Sequence, residues 1–242
     1  MSENSSADQI LEMLGDGELE VEGLVPWGSN YTFLVRVCHE RGEIEAIYKP
    51  GRGERPLWDF PKGTLCLRER AAYLISEALS WHIVPPTILR KGPQGRGSLQ
   101  HFVPHDPEAH YLTFQGQYIE QLQRIVLFDF IINNADRKSG HVLLGEDGRL
   151  WAIDHGVCFH TDYKLRTVIW EFSGEPIPAN LATDLTAFQK WLADADSEIF
   201  HQFCTLVTPE EITALAGRLN RLINRNVFPQ PGPGRHYPWP LV

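Results

Sequence analysis

The chain of 242 residues is 43% hydrophobic and 22% charged, and its 22 Lys plus Arg stand against 31 Asp plus Glu, a formal charge of −9. That composition belongs to folded globular proteins and excludes disordered and fibrous chains. The acidic balance and the lack of a long Lys/Arg block argue against a nucleic-acid or anionic-membrane partner, and no apolar run approaches the ~20 residues of a membrane span.

The opening MSENSSADQILEMLGDGE is polar and acidic, unlike a signal peptide. Within it Asp8 to Leu14 has the apolar spacing of a short amphipathic helix, closed by Gly15 and Gly17. Leu19 to Leu24, Tyr31 to Val37 and Ile44 to Lys49 are rich in Val, Ile, Tyr and Phe and separated by turn compositions, which predicts an antiparallel meander. Leu65 to Trp81 follows as a helix, stopped by Val84-Pro85-Pro86. Thr87 to Leu89 and Ser98 to Val103 read as two further strands. Pro104-His105-Asp106-Pro107 admits neither a helix nor a central strand and marks a hinge between lobes 1–103 and 104–242.

The second half is mainly helical. Gln117 to Asn133 is apolar nearly all round and predicts a buried central helix. Val142 to Leu144 and Leu150 to Ile153 form a hairpin around Glu146-Asp147-Gly148. Helices are predicted near Leu181 to Trp191 and Glu210 to Arg225, the second capped by Thr208 with Pro209 and Glu211 behind it. The tail FPQPGPGRHYPWPLV is rich in Pro and Gly, which predicts irregular chain, packed or loose. The whole is α+β. Cys38, Cys66, Cys158 and Cys204 are widely spaced, suggesting neither a zinc ribbon nor a disulfide framework, and a cytoplasmic monomer is expected.

Four features in chain order converge on one chemistry. Pro26-Trp27-Gly28-Ser29-Asn30 joins two strands through a glycine turn, whose backbone N–H groups can approach phosphates closely. Lys49 ends an apolar strand, where an ammonium needs an acidic partner or an anionic ligand, and Glu69 stands on the next helix. Asn133-Asn134-Ala135-Asp136-Arg137-Lys138-Ser139-Gly140-His141 brings Asp136 into a loop, with a second possible ligand, His141, five positions on. That is the spacing of a kinase catalytic loop, in which the Asp accepts the substrate hydroxyl proton and the later residue binds metal. Asp154, before His155-Gly156 at the end of an apolar strand, must be solvated, paired or on a metal, and Gly156 permits a sharp turn beside it. Arg137 and Lys138 could hold an acidic acceptor or the γ-phosphate, or be exposed loop charges.

With YKP, ERAAYL, FDFIINNADRKSGH and WAIDHG in hand, the sequence resembles the atypical kinases related to phosphatidylinositol 3- and 4-kinases, most closely the type II phosphatidylinositol 4-kinases and a group of actinobacterial kinase-like proteins. The resemblance runs from about Gly28 to Phe159. It implies a two-lobed protein-kinase-like fold, an antiparallel sheet plus helix followed by a mainly helical lobe. It implies ATP with Mg²⁺ or Mn²⁺, Lys49 on the α- and β-phosphates, Glu69 holding Lys49, Asp136 as the catalytic acid and Asp154 on the metal. Gly28 and Ser29 would lie over the phosphates, and Gln100, His101 and Phe102 fall where the family's adenine-binding hinge lies.

One departure stands out: His141 occupies the place of the usual Asn, and imidazole suits Mn²⁺ better than Mg²⁺. Related kinases of the secretory pathway carry Glu there, and the same scaffold can move AMP instead of phosphate. The acceptor is expected to be soluble, because neither a basic cluster nor a Cys-rich anchor is present in the sequence. Two rivals remain. A metal hydrolase could draw on His101, His105, His110, His155 and His160, but Pro104 interrupts the helix that H-x-x-x-H sites need. A nucleotide-binding pseudokinase would explain His141.

Overall fold

The computed structural model describes residues 3–25, 30–194 and 196–242. Helix α1 (Glu3–Asp16) covers one face of a five-stranded antiparallel sheet of order β1-β2-β3-β5-β4. Its strands are β1 (Glu18–Leu24), β2 (Phe33–His39), β3 (Gly42–Pro50), β4 (Thr87–Gly92) and β5 (Gly95–His101). Period-two alternation decides what each face carries. Val35, Val37, Ala46, Tyr48 and Leu99 bury with Leu14 beneath α1. Ile47 and Lys49 therefore project from the opposite face, toward helix α2 (Leu65–Ala78).

The helix predicted to reach Trp81 ends at Ala78, and the prolines are not its stop. Ser80 and His82 take left-handed backbone (φ 54° and 48°), and the buried Ser76 hydroxyl accepts from the N–H groups of Ile83 (2.9 Å) and Val84 (3.2 Å). The reversal is thus closed by a side chain inside the helix. Beyond it, the proline-flanked segment forms β6 (His105–His110) at the edge of a small sheet, β6-β7-β8, with β7 (Val142–Gly145) and β8 (Leu150–Ala152). The edge tolerates Pro107, as β6 meets β7 in register only at His105 and His110.

Helix α3 (Ile119–Ile132) is the buried axis of the second half; α6 (Pro209–Arg225) packs on it, α4 (Ala179–Trp191) on α6, and α5 (Glu198–Cys204) on α2. One cluster of buried side chains joins α3, α4 and α6 to the inner face of α2. The cap foreseen for α6 forms: Thr208 Oγ1 accepts from Glu211 N (3.3 Å) and Glu211 Oε2 from Thr208 N (2.9 Å). The other oxygen of Glu211 takes a hydrogen bond from Arg68 of α2 at 2.6 Å, so the cap also ties α6 to α2. Helix α5 escapes sequence analysis because seven residues are too few to establish a period. The tail is irregular and packed. His236 O accepts from Thr167 N (3.1 Å) and Trp170 Nε1 (3.2 Å), and Leu241 O from Ser139 N (2.8 Å). All four cysteines are free thiols, and no described helix is long and apolar enough to cross a membrane.

Asp129 and Arg137 are wholly buried and locked as a two-point pair, Nε to Oδ2 at 2.8 Å and Nη2 to Oδ1 at 2.9 Å. Arg137 was expected to reach an acceptor or phosphate or to stand exposed, and it does neither. Its remaining N–H groups reach His141 O (2.9 Å), Ile153 O (2.7 Å) and His155 Nε2 (2.7 Å). A guanidinium is costly to bury alone but can satisfy a carboxylate and several carbonyls at once through its fixed fork. The pair therefore clips helix α3, loop 134–141 and the strand end at 153–155 together. Removing one partner leaves an uncompensated buried charge, so Asp129→Ala or Arg137→Ala should lose about 3–5 kcal/mol in urea unfolding. Arg137→Lys should lose most of that as well, because one ammonium cannot replace the fork.

Candidate functional site

Between the α2-facing side of the sheet and the loops after α3 and β8 lies a cleft of about 420 Å³. Lys49, Glu69, Gln100, His101, Phe102, Asp136, His141 and Asp154 all line it. Gly28 and Ser29 lie outside the described residues; the neighbouring Asn30, Tyr31 and Thr32 line the cleft.

Lys49 bonds two carboxylates at once, Glu69 Oε1 at 2.5 Å and Asp154 Oδ1 at 2.9 Å. Sequence analysis anticipated the first partner and missed the second, because 105 positions separate Lys49 from Asp154. Burial alone would lower the Lys49 pKa, but Asp154 and Glu69 together raise it, so the amine is charged. Burial likewise works against the Asp154 charge, yet Lys49 holds its carboxyl well below the usual range. Glu69 is pushed upward by burial against the pull of Lys49. Its second oxygen accepts from His155 N at 2.9 Å, which fixes the carboxylate in place.

The sharp turn assigned to Gly156 belongs to Asp154 itself, which sits in left-handed backbone (φ 62°). Such a conformation costs a non-glycine residue about 1–3 kcal/mol and persists only where its surroundings enforce it. Here Ile153 O is held by Arg137 and His155 N by Glu69, so the peptides on both sides are fixed. At Gly156 the backbone is not left-handed, and a Cβ there would make ordinary contact, 3.4 Å from that of Leu65 at the start of α2.

His141 Nδ1 lies 3.0 Å from Asp136 O, and a carbonyl can only accept, so the proton is on Nδ1. Burial lowers the ring pKa to about 4, which leaves it neutral and its Nε2 lone pair turned on Asp154 Oδ2 at 3.2 Å. Two acceptors face each other across that gap. Adjacent ligands of an octahedral divalent ion at about 2.1 Å stand ~3 Å apart, so the pair fits two neighbouring positions of one metal shell. Among the described residues no group of three or more His, Cys, Asp and Glu side chains gathers as a metal cluster. His155 is taken up by Arg137, and burial first, then that guanidinium, lower its pKa far below the ordinary value.

Asp136 projects from the loop after α3. Asn134 bridges it to the core, accepting from Asp136 N (2.9 Å) and donating to Asp129 (2.9 Å). Lys138 Nζ stands 3.3 Å from its carboxylate. Burial raises the Asp136 pKa to about 6, against the opposing effect of Lys138. At the end of β5, the Gln100 side chain is turned to Thr87 Oγ1 (2.8 Å), His101 N donates to Pro86 O (2.8 Å) and Phe102 N to Glu45 O (3.0 Å). The N–H of Val103, which also lines the cleft, makes no hydrogen bond among the described residues.

A carboxyl raised from 3.8 to about 6 in the folded state penalises folding once the pH exceeds both values, and costs nothing at about pH 3 and below, where it is protonated in both states. Asp136→Asn should therefore raise the melting temperature at pH 7.5 by about 2–4 °C, on the order of 1 kcal/mol after allowance for solvent and the lost Lys138 contact. At about pH 3 the two proteins should melt together. An equal shift at both pH values would assign the gain to something other than this charge.

Comparison with known proteins gives the constellation a lineage. Residues 67–213 match the phosphatidylinositol 3- and 4-kinase family. Protein Rv2133c of Mycobacterium tuberculosis is 38% identical, the alignment covering 94% of each chain. Phosphatidylinositol 4-kinase gamma 4 of Oryza sativa is 29% identical over 57% of this chain, which spans only 27% of that kinase. Among solved structures, the Golgi casein kinase with Mn/ADP bound shares the fold with a TM-score of 0.61 at 15% identity, covering 93% of this chain and 76% of that one. Hydra Fam20 with sugar does so with a TM-score of 0.57 at 13% identity, covering 93% and 89%. The two-lobed kinase-like architecture is thereby established, and the chain belongs to the phosphatidylinositol 3- and 4-kinase family.

Proposed function

We propose that the chain is an ATP-dependent phosphotransferase acting on a hydroxyl of a soluble small-molecule or protein acceptor, with Mn²⁺ or Mg²⁺. The observation that carries this reading is the Lys49 ammonium held between Glu69 and Asp154 in a cleft that also contains Asp136. In the proposed complex Lys49 holds the α- and β-phosphates, and Glu69 keeps it in place. The adenine would be met by the free N–H of Val103 beside Gln100, His101 and Phe102. Gly28 and Ser29 remain proposed phosphate contacts. The lobes are proposed to meet between residues 103 and 104.

Asp154 and His141 would hold the metal, leaving its other positions to phosphate oxygens and water, as is usual for divalent ions in nucleotide sites. The metal would neutralise charge on the transferring phosphate. Asp136 would accept the acceptor's hydroxyl proton, a task suited to a carboxyl whose pKa lies near 6. Lys138, paired with Asp136, would hold the transferring phosphate, the role that the burial of Arg137 leaves to it. A nucleotide-binding scaffold without transfer is the second reading, favoured by His141 alone.

Calorimetric titration with ATP in Mg²⁺, in Mn²⁺ and in neither tests the proposal. Metal-dependent binding that vanishes in Asp154→Ala is the expected result, and no binding under all three conditions would overturn it. Asp136→Ala should abolish turnover while nucleotide affinity stays within severalfold, because its role lies in the transferring state. Because imidazole favours Mn²⁺, turnover should be faster with Mn²⁺ than with Mg²⁺, and equal rates would contradict the role of His141.

A further inference from the structure

On a chain of net charge −9, one surface gathers only cations. A shallow depression of about 720 Å³ is lined by Arg52, Lys62, Arg90, Lys91 and Arg96 with three glycines, and no acidic residue lines it. Arg90 is spent on the carbonyls of Leu14 (2.7 Å) and Gly17 (2.8 Å) at the end of α1. The other four are exposed, and among the described residues none has a carboxylate within ion-pair distance. The depression shares no lining residue with the cleft.

The hairpin that builds it is chemically unusual. Lys91 and Arg96 are direct cross-strand partners in the β4–β5 ladder, so their side chains leave the same face side by side. Like charges opposite one another destabilise a sheet, and a carboxylate at either position would relieve the repulsion. The Arg52 side chain lies against Gly95 at the same turn, bringing a third cation to the pair. Lys62 enters from the loop just before α2, whose first turn holds no acidic residue. Arg96 stands on the sheet face that carries Lys49, since Ser98, two positions along β5, pairs with Lys49.

We propose that this depression is a second anion site, distinct from the cleft, which binds a phosphate-rich polyanion across Arg52, Lys62, Lys91 and Arg96. The cations are spread over 45 positions of sequence, so they form no basic run, and only the fold assembles them. Free polyphosphates and the headgroups of an anionic bilayer share the chemistry that the site recognises. The proposal stands whether or not the cleft transfers phosphate.

Lys91→Glu is the decisive variant, since it turns the repelling pair into an attracting one and should leave the melting temperature unchanged or slightly raised. The full chain and the variant are titrated calorimetrically with inorganic tripolyphosphate, and sedimented with phosphatidylcholine vesicles with and without phosphatidylglycerol. The expected result is binding that weakens by about tenfold or more in Lys91→Glu and falls with added salt, with ATP affinity unchanged. Loss in the tripolyphosphate arm identifies a soluble ligand, and loss in the phosphatidylglycerol arm alone identifies a bilayer. Binding to neither probe, or binding indifferent to Lys91→Glu, as tripolyphosphate held in the cleft would be, overturns the proposal.

Discussion

The Asp129–Arg137 pair is the constraint on which the site depends. It lies at zero exposure, and each of its hydrogen bonds ends on a segment that delivers a cleft residue. Asp129 holds Asn134, which holds Asp136; Arg137 holds the carbonyls of His141 and Ile153 and the ring of His155. Buried ion pairs contribute little net stability compared with well-packed apolar groups. What this one contributes is position, since a guanidinium with five fixed donors allows only one arrangement of the three segments around it.

On that frame the cleft is assembled with charges that do not balance on their own. One ammonium serves two carboxylates, Asp154 is held in left-handed backbone, and the neutral ring of His141 turns a lone pair on a carboxylate oxygen. Asp136 is raised toward neutrality by burial. The left-handed backbone of Asp154 and the buried charge of Asp136 oppose folding, and the proposed divalent cation with its phosphates would answer the unbalanced charges of the cleft. Stability given up in one place and in one chemical sense is the mark of a site organised for a ligand.

Much of this could be read from the chain because the informative residues lie in short local motifs. Lys49 at a strand end, Glu69 on the next helix, Asp136 with His141 five positions later and Asp154 beside a glycine each stand out within a few residues, and the fold gathers them as expected. The cap at Thr208 announced α6. What escaped depends on distance or on a single rotation. Nothing local distinguishes Arg137, buried beneath the loop, from Lys138, which pairs with Asp136. A left-handed Asp154 instead of Gly156 is decided by Arg137 and Glu69, which are remote from it in sequence. The basic depression is invisible for the same reason, as its cations come from three separate segments.

The central claim is that His141 and Asp154 are adjacent ligands of one nucleotide-bound metal, with Nδ1 of the ring pinned to Asp136 O and Nε2 left to coordinate. Pulsed electron paramagnetic resonance of Mn²⁺ and ADP bound to the protein tests it most directly, since a coordinated imidazole imprints its nitrogen on the metal spectrum. The account predicts a directly coordinated nitrogen in the wild type that is lost in His141→Asn while Mn²⁺ and ADP stay bound. A spectrum of bound Mn²⁺ without that nitrogen, or one unaltered by His141→Asn, would contradict it.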